Sequence, residues 1–207
     1  MELWTRGTGG GTANPFSHLP TYTNLAHFAV YDFGERDFTS IAKTMSASAS
    51  TLTSLTLVCD MLMHQRHSGP LWITLPWSSL PALRRLALGV PTGAGIRQFL
   101  LFNTSFWYHI LPFMPENLDF LELAWAPYTT CHTPNRETVS LTMAAAPWDK
   151  ICNEIARANT KQVRFRLKHP AFGKGWSTDV RRHPEKAALT AHLNVTFITG
   201  GSPSCDD

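Results

Sequence analysis

Apolar residues recur along the chain in a spacing that predicts a series of short strands. The full pattern L-x-x-L-x-L occurs three times, at intervals of 31 and 35 residues, whereas the leucine content would give about 0.3 such units by chance. These units are Leu52/Leu55/Leu57, Leu83/Leu86/Leu88 and Leu118/Leu121/Leu123. Looser copies are Leu25/Phe28/Val30, Thr160/Val163/Phe165 and His192/Val195/Phe197, with Leu3 as the end of an earlier copy. The pattern predicts strands near 2–4, 25–31, 52–58, 83–89, 118–124, 162–168 and 193–198.

The segments between these strands carry apolar residues at helical spacing. Three such sets are Phe38/Ile41/Ala42/Met45 with Asp37 as N-cap, Ile96/Phe99/Leu100/Asn103/Trp107/Ile110 with one polar member, and Trp148/Ile151/Cys152/Ile155 with Pro147 at the first helical position. A last helix is predicted to start at Pro184. Because Pro70 and Pro76 forbid a long helix, 70–80 is predicted to be a short turn or 3₁₀ piece that points Trp72, Ile73 and Trp77 inward.

Strands that alternate with such connections predict an α/β solenoid, with parallel strands on a concave face and irregular helices and turns on a convex face. Each unit buries its apolar face only against its neighbours, so stacked units share one core. We expect residues 1–207 to form a single repeat domain of about six irregular repeats.

The alternation along each strand also identifies the residues of the concave face. Arg164, Arg166 and Lys168 alternate with apolar residues, so they lie on the side away from the core. They indicate either the basic end of a binding surface or a solvated edge strand that uses charge to block pairing. Trp, Tyr and Arg are common interface anchors. The predicted partner-binding residues are therefore Trp4, Tyr31, Arg85, Phe120, Glu122, Arg164 and Arg166.

The three full leucine units resemble leucine-rich repeats, and their variable length resembles the irregular repeats of fungal F-box/leucine-rich-repeat proteins. The resemblance implies non-catalytic protein recognition, as in the substrate-binding part of a ubiquitin-ligase receptor. No F-box is visible ahead of the repeats, so the family's adaptor contact is carried onto no residue here. The ninth repeat position, which holds Asn or Cys in the family, differs in this chain. It is occupied by Phe33, Asp60, Pro91, Ala126, Lys168 and Gly200.

Composition narrows the classes of partner. Charged residues make up 16% of the chain and the formal net charge is +3, which is too weak a bias to predict a nucleic-acid or membrane partner. The sequence shows no secretory signal and no apolar run of about 18 residues. Four cysteines without CxxC spacing fit a reduced compartment, so we expect a cytoplasmic or nuclear protein.

Other chemistry is less well supported by the sequence. The glycine-rich segment Gly7–Thr12 suggests an alternative function, a small α/β nucleotide-binding domain or enzyme, although it lacks the Gly-Lys-Ser/Thr ending of a phosphate loop. Cys59, His64 and His67, with Cys131 and His132, match no common zinc spacing. We predict no cofactor, no metal and no catalytic residues. Strand order distinguishes the two functions, because a doubly wound nucleotide-binding sheet reverses its order at the ligand site.

Overall fold

The backbone of the chain forms a single parallel β-sheet whose strands lie side by side in chain order. The computed structural model describes residues 2–6, 22–33, 37–59, 72–92, 107–108, 110–127, 144–167 and 177–199. The strands are β1 Glu2–Arg6, β2 His27–Phe33, β3 Ser54–Cys59, β4 Arg85–Thr92, β5 Phe120–Pro127, β6 Gln162–Leu167 and β7 Val195–Thr199. Each strand pairs in parallel with the next, in the order β1 to β7. The chain is therefore an α/β protein, as predicted.

Within the described ranges, three helices of ten residues or more lie between the strands: α1 Phe38–Ala47, α2 Trp148–Arg157 and α3 Ser177–Thr190. The predictions for α1 and α2 are confirmed, with two changes at the helix starts. Asp37 is the N-cap of α1 without making a side-chain cap hydrogen bond, and Pro147 is the N-cap of α2 rather than its first helical residue. Of the helix predicted over 96–110, residues 107, 108 and 110 are helical and the rest lie outside the described residues.

The predicted start of the last helix is wrong. α3 begins at Ser177, and Pro184 lies inside it. A proline has no N–H to donate to the preceding turn, which usually ends a helix. Here Pro184 is buried, and Ala187 and Ala188 after it pack into the core, so the sequence rule is overridden by tertiary packing.

Strands β2 to β5 begin two residues later than predicted. The first apolar residue of each unit, such as Leu52 or Leu83, lies ahead of its strand and is fully buried. The same backbone hydrogen-bond arrangement recurs at the starts of β3, β4 and β5. In each case a carbonyl oxygen of one unit accepts hydrogen bonds from the N–H groups of two consecutive residues of the next unit. The acceptor and donor sets are Ala26 with Thr53/Ser54 at 2.9 and 3.0 Å, Thr53 with Arg84/Arg85 at 2.9 and 3.0 Å, and Arg84 with Asp119/Phe120 at 2.8 and 3.1 Å.

A left-handed residue precedes several strands. Asn24, Asn117 and Asn159 have φ values of 64°, 60° and 53° and stand directly before the first position of a unit. Asparagine tolerates this conformation better than most residues do. Asn159 Nδ2 also donates to Asn117 Oδ1 at 2.8 Å, which links two neighbouring units. In the last unit His192 takes this conformation, at φ 55°, and is exposed; the residue that packs against the core is Leu193, not His192 as predicted.

The core lies on one face of the sheet. Inward residues of the strands, such as Leu55 and Phe165, share one apolar cluster with buried side chains from all three helices and from the 3₁₀ turns Trp77–Ser79 and Leu111–Phe113. Trp72 and Trp77 point inward as predicted, and Trp77 Nε1 donates to the Trp72 carbonyl at 2.7 Å. The prediction for Ile73 is wrong, because its side chain is 40% exposed. The described connections thus pack on one face, and the alternate strand residues form the other, here called the open face. The name refers to the side away from the core cluster, since Thr56, Ala87, Glu122 and Ala124 at its centre are buried.

Strand β6 is an inner strand of the sheet. β6 pairs with both β5 and β7, so the interpretation of Arg164 and Arg166 as features of an edge strand is wrong.

Within the part of the chain that the structure describes, no helix has the length and apolar character needed to cross a membrane.

Candidate binding site on the open face of the sheet

The register of the strands arranges the open-face residues in rows that cross the sheet, with neighbours about 4.8 Å apart. The first row holds His27, Ser54, Arg85, Phe120 and Gln162. The second holds Trp4, Ala29, Thr56, Ala87, Glu122, Arg164 and Thr196. The third includes Tyr31, Val58, Gly89, Ala124, Arg166 and Ile198. Large and charged side chains gather on β4, β5 and β6.

Glu122 is the centre of a buried ion cluster. Arg166 donates to it twice, from Nε to Oε1 at 2.5 Å and from Nη2 to Oε2 at 3.3 Å, and Arg164 Nη1 donates to Oε2 at 3.3 Å. The Glu122 side chain has no exposed surface, and those of Arg166 and Arg164 keep only 6% and 11%. Removing charges from water is costly unless they are paired and hydrogen bonded. The cluster therefore fixes three neighbouring side chains, and it leaves Glu122 and Arg166 little surface for a partner.

Phe120 lies between two guanidinium groups. The Cζ atom of Arg85 is 5.1 Å from the centroid of the ring, and that of Arg164 is 4.9 Å away. A cation over an aromatic face is attracted by the electron density of the ring. Because Arg164 also contacts Glu122, the stack of Arg85, Phe120 and Arg164 is joined to the buried ion cluster. These side chains are thereby held in place in the folded protein.

A cleft of about 290 Å³ opens beside this stack, at the amino-terminal edge of the sheet. Its lining includes Arg84, Arg85, Phe120, Arg164 and Asp119. Three cationic side chains, those of Arg84, Arg85 and Arg164, line the cleft against the carboxylate of Asp119. The cleft is therefore positively charged and has an aromatic floor, a combination suited to an anionic group.

The carboxylate that lines the cleft, that of Asp119, is paired with a cation. Lys161 Nζ lies 2.6 Å from Asp119 Oδ1, and both side chains are largely exposed. The hydrogen bond from Lys161 is the main cause that lowers the pKa of Asp119, with smaller effects from the charges of Lys161, Arg84 and Arg85, while desolvation acts in the opposite direction. Asp119 is thus ionised in neutral solution and offsets one of the three cations that line the cleft.

The structure separates the seven predicted partner-binding residues into two groups. Arg85, Phe120, Glu122, Arg164 and Arg166 lie together on three adjacent strands. Trp4 on β1 and Tyr31 on β2 form the second group. The backbone position of Trp4 lies four strand spacings, about 19 Å, from Glu122, and that of Tyr31 lies equally far from Arg166.

Sequence reasoning missed Arg84 and Asp119, which line the cleft although they precede the strands. The signal available was their position directly before the open-face residues Arg85 and Phe120.

Other candidate chemistry is either absent from the described residues or lies outside them. Gly7–Thr12, His64, His67, Cys131 and Lys168 fall outside the described ranges. Among the described side chains, no three His, Cys, Asp or Glu residues are placed to hold a metal ion. Burial, helped by the charge of Asp149, raises the pKa of the Cys152 thiol in α2 to about 12, so this thiol is not a nucleophile in neutral solution.

The fold and the cleft define the class as an α/β protein with one parallel sheet in chain order and a cationic site on its open face. No family model, no curated protein and no solved structure matches the chain. Its function is therefore argued from the geometry of the described residues.

Proposed function

We propose that the chain is a non-catalytic protein-recognition module that binds its partner on the open face of the sheet. The observation that carries this proposal is the cleft at the amino-terminal edge of the sheet, where the guanidinium groups of Arg85 and Arg164 flank the ring of Phe120. Arginine and aromatic side chains that are already ordered lose little freedom on binding, which favours recognition.

The strand arrangement supports the finer proposal of a leucine-rich-repeat-like solenoid, with the open face as its concave side. The strands are sequential, and one backbone hydrogen-bond arrangement recurs between consecutive units. The resemblance to F-box/leucine-rich-repeat proteins adds that the partner is a substrate of a ubiquitin ligase. The cysteine spacing adds that binding takes place in the cytoplasm or nucleus. The same resemblance suggests a single repeat domain over residues 1–207.

The alternative, nucleotide binding at Gly7–Thr12, has no support from the described part of the chain. A doubly wound protein binds nucleotide where the strand order reverses. Strands β1 to β7 show no such reversal. The glycine-rich segment itself lies outside the described residues.

Affinity capture with a charge-reversed variant tests the proposal. Arg84→Glu/Arg85→Glu reverses two cations of the cleft and leaves Arg164 in place, because Arg164 contacts the buried Glu122. The matched control is Lys43→Glu/Lys186→Glu, which makes the same charge change at exposed positions on α1 and α3. Both variants are first checked for native circular dichroism and thermal unfolding.

We expect proteins captured by the wild type and the control to be lost from the Arg84→Glu/Arg85→Glu variant. After purification, such a partner should bind this variant about tenfold more weakly or worse, since charge reversal replaces attraction with repulsion at the contact. Identical protein sets on the wild type and the variant, empty sets included, would reject the proposal.

A further inference from the structure

A second concave surface adjoins the cationic cleft. This groove, of about 630 Å³, lies between the connection that leads into β4 and the one that leads into β5. Its apolar lining includes Ile73, Trp77, Leu80, Phe113 and Met114. Trp77, Leu80 and Met114 belong to the core, so the floor of the groove is fixed by the packing that holds the two connections against the sheet.

Exposed apolar side chains are concentrated at this groove. In the described ranges, three large apolar side chains are strongly exposed: Ile73 at 40%, Phe113 at 47% and Leu189 at 75%. Single exposed apolar residues are ordinary on protein surfaces. Two of these three, however, line the same groove, and exposed apolar residues that share one concavity are typical of binding surfaces.

Arg84 connects the groove to the cleft, because it lines both. Its Nη1 atom donates to the carbonyl oxygens of Pro81 at 3.0 Å and Leu83 at 2.9 Å, which holds the guanidinium over the turn before β4. The carboxylate on the groove side, Glu116, lies 3.8 Å from Arg157. The positive charge of the cleft thus continues to the start of the groove.

We propose that the groove and the cleft together hold one extended segment of a partner protein, which places acidic side chains in the cleft and apolar side chains in the groove. The acidic part follows from charge complementarity with the cleft, and the apolar part from the exposed Ile73 and Phe113. This inference rests on the proposed function and adds the chemistry of the partner to it. Arg84 lines both the cleft and the groove, so it lies where the acidic part of the segment is followed by the apolar part.

Selection from a library of short random peptides displayed on phage tests the inference. The full chain is used in four forms: the wild type, the cleft variant Arg84→Glu/Arg85→Glu, the groove variant Ile73→Asp/Phe113→Asp and the control Leu189→Asp. The groove variant changes only exposed side chains, and the control makes the same replacement at an exposed apolar residue of α3 away from the groove. Enriched peptides are then synthesised, and their affinities are measured by fluorescence anisotropy.

On the wild type and the control we expect enrichment of peptides in which Asp or Glu adjoins a short apolar run. The groove variant should still enrich acidic residues but not the apolar run. Peptides enriched on the wild type should bind the groove variant about tenfold more weakly or worse, because burial of one Leu-sized side chain alone accounts for such a factor.

The two proposals fail in different ways in this experiment. Enriched peptides that are acidic without an apolar run, and that bind the groove variant as well as the wild type, would reject the shared segment and leave the proposed function standing. Apolar peptides without acidic residues would also reject it. Equal enrichment on the wild type and the cleft variant, including none on either, would reject the proposed function itself.

Discussion

Replacing Glu122 by glutamine removes the anion that pairs with two arginines in the buried ion cluster. The Glu122→Gln variant keeps the shape of the side chain but leaves Arg166, which is 6% exposed, and Arg164 without their carboxylate. Breaking a buried ion pair by removing one partner costs about 3–5 kcal/mol, because the remaining charge stays desolvated. We therefore expect the free energy of unfolding to fall by about 3 kcal/mol, and Tm to fall by about 6–12 °C in a chain of this size.

Urea denaturation at neutral pH, followed by circular dichroism, measures this change. The matched control is Glu185→Gln, since Glu185 pairs with Arg181 at 2.7 Å on the surface of α3, where both side chains are about two-fifths exposed. A surface pair at this spacing contributes about 0.3–0.5 kcal/mol. The double variant Glu122→Gln/Arg166→Met should lose at least about 1 kcal/mol less than the sum of the single variants. If the two Glu→Gln variants differ by less than about 1 kcal/mol, the ion cluster does not stabilise the sheet as argued.

Three further predictions concern single side chains. Asn159→Ala should lower the free energy of unfolding by about 1 kcal/mol more than Asn159→Gly in urea denaturation, because both lose the hydrogen bond to the neighbouring unit but only alanine is strained at φ 53°; equal losses would contradict this. Since burial, with the charge of Asp149, raises the pKa of Cys152 from 9.0 to about 12, the folded state binds the thiol proton more tightly than the unfolded state, and stability should fall as pH rises from 9 towards 12, by at most about 1.4 kcal/mol per pH unit. The Cys152→Ala variant should lose that part of the slope, and an unchanged slope would refute the argument. Lys161→Met should raise the pKa of Asp119 towards its ordinary value in an NMR titration, and an unmoved pKa would show that Lys161 is not its cause.

The α/β class and the inward face of each strand could be predicted, because apolar spacing determines which face of a strand is buried. Leu55, Leu57 and their counterparts are inward as the pattern required. The starts of the strands could not be read in the same way. Leu52 and Leu83 are as apolar and as buried as the strand residues, yet they pack under the turn ahead of the strand. Hydrogen bonding between units, not burial, sets where each strand begins.

The candidate site was predicted in part, because period-two alternation places Arg85, Phe120 and Arg164 on one face without giving their neighbours. The intervals between paired residues differ from unit to unit, so only the register shows that Arg164 stands beside Glu122, 42 residues earlier. The burial of Arg166 depends on its ion pair with Glu122. Nothing in the sequence of β6 itself indicates this burial. The left-handed conformation of Asn117 and Asn159 did have a signal in the sequence, because each stands directly before the first position of a unit. The family pattern instead places its asparagine at the ninth position of a repeat.

The order of the strands has a consequence for how the chain folds. Every pairing in the sheet joins residues 25 to 42 positions apart. The entropy of closing such loops varies only with the logarithm of their length, so the cost differs by about 0.5 kcal/mol between the shortest and the longest. No strand pair therefore has a strong advantage as the starting point, and a sheet begun at any pair grows by steps of similar difficulty in both directions. A nascent chain can close each pairing as soon as the next unit has been synthesised, without waiting for a distant strand.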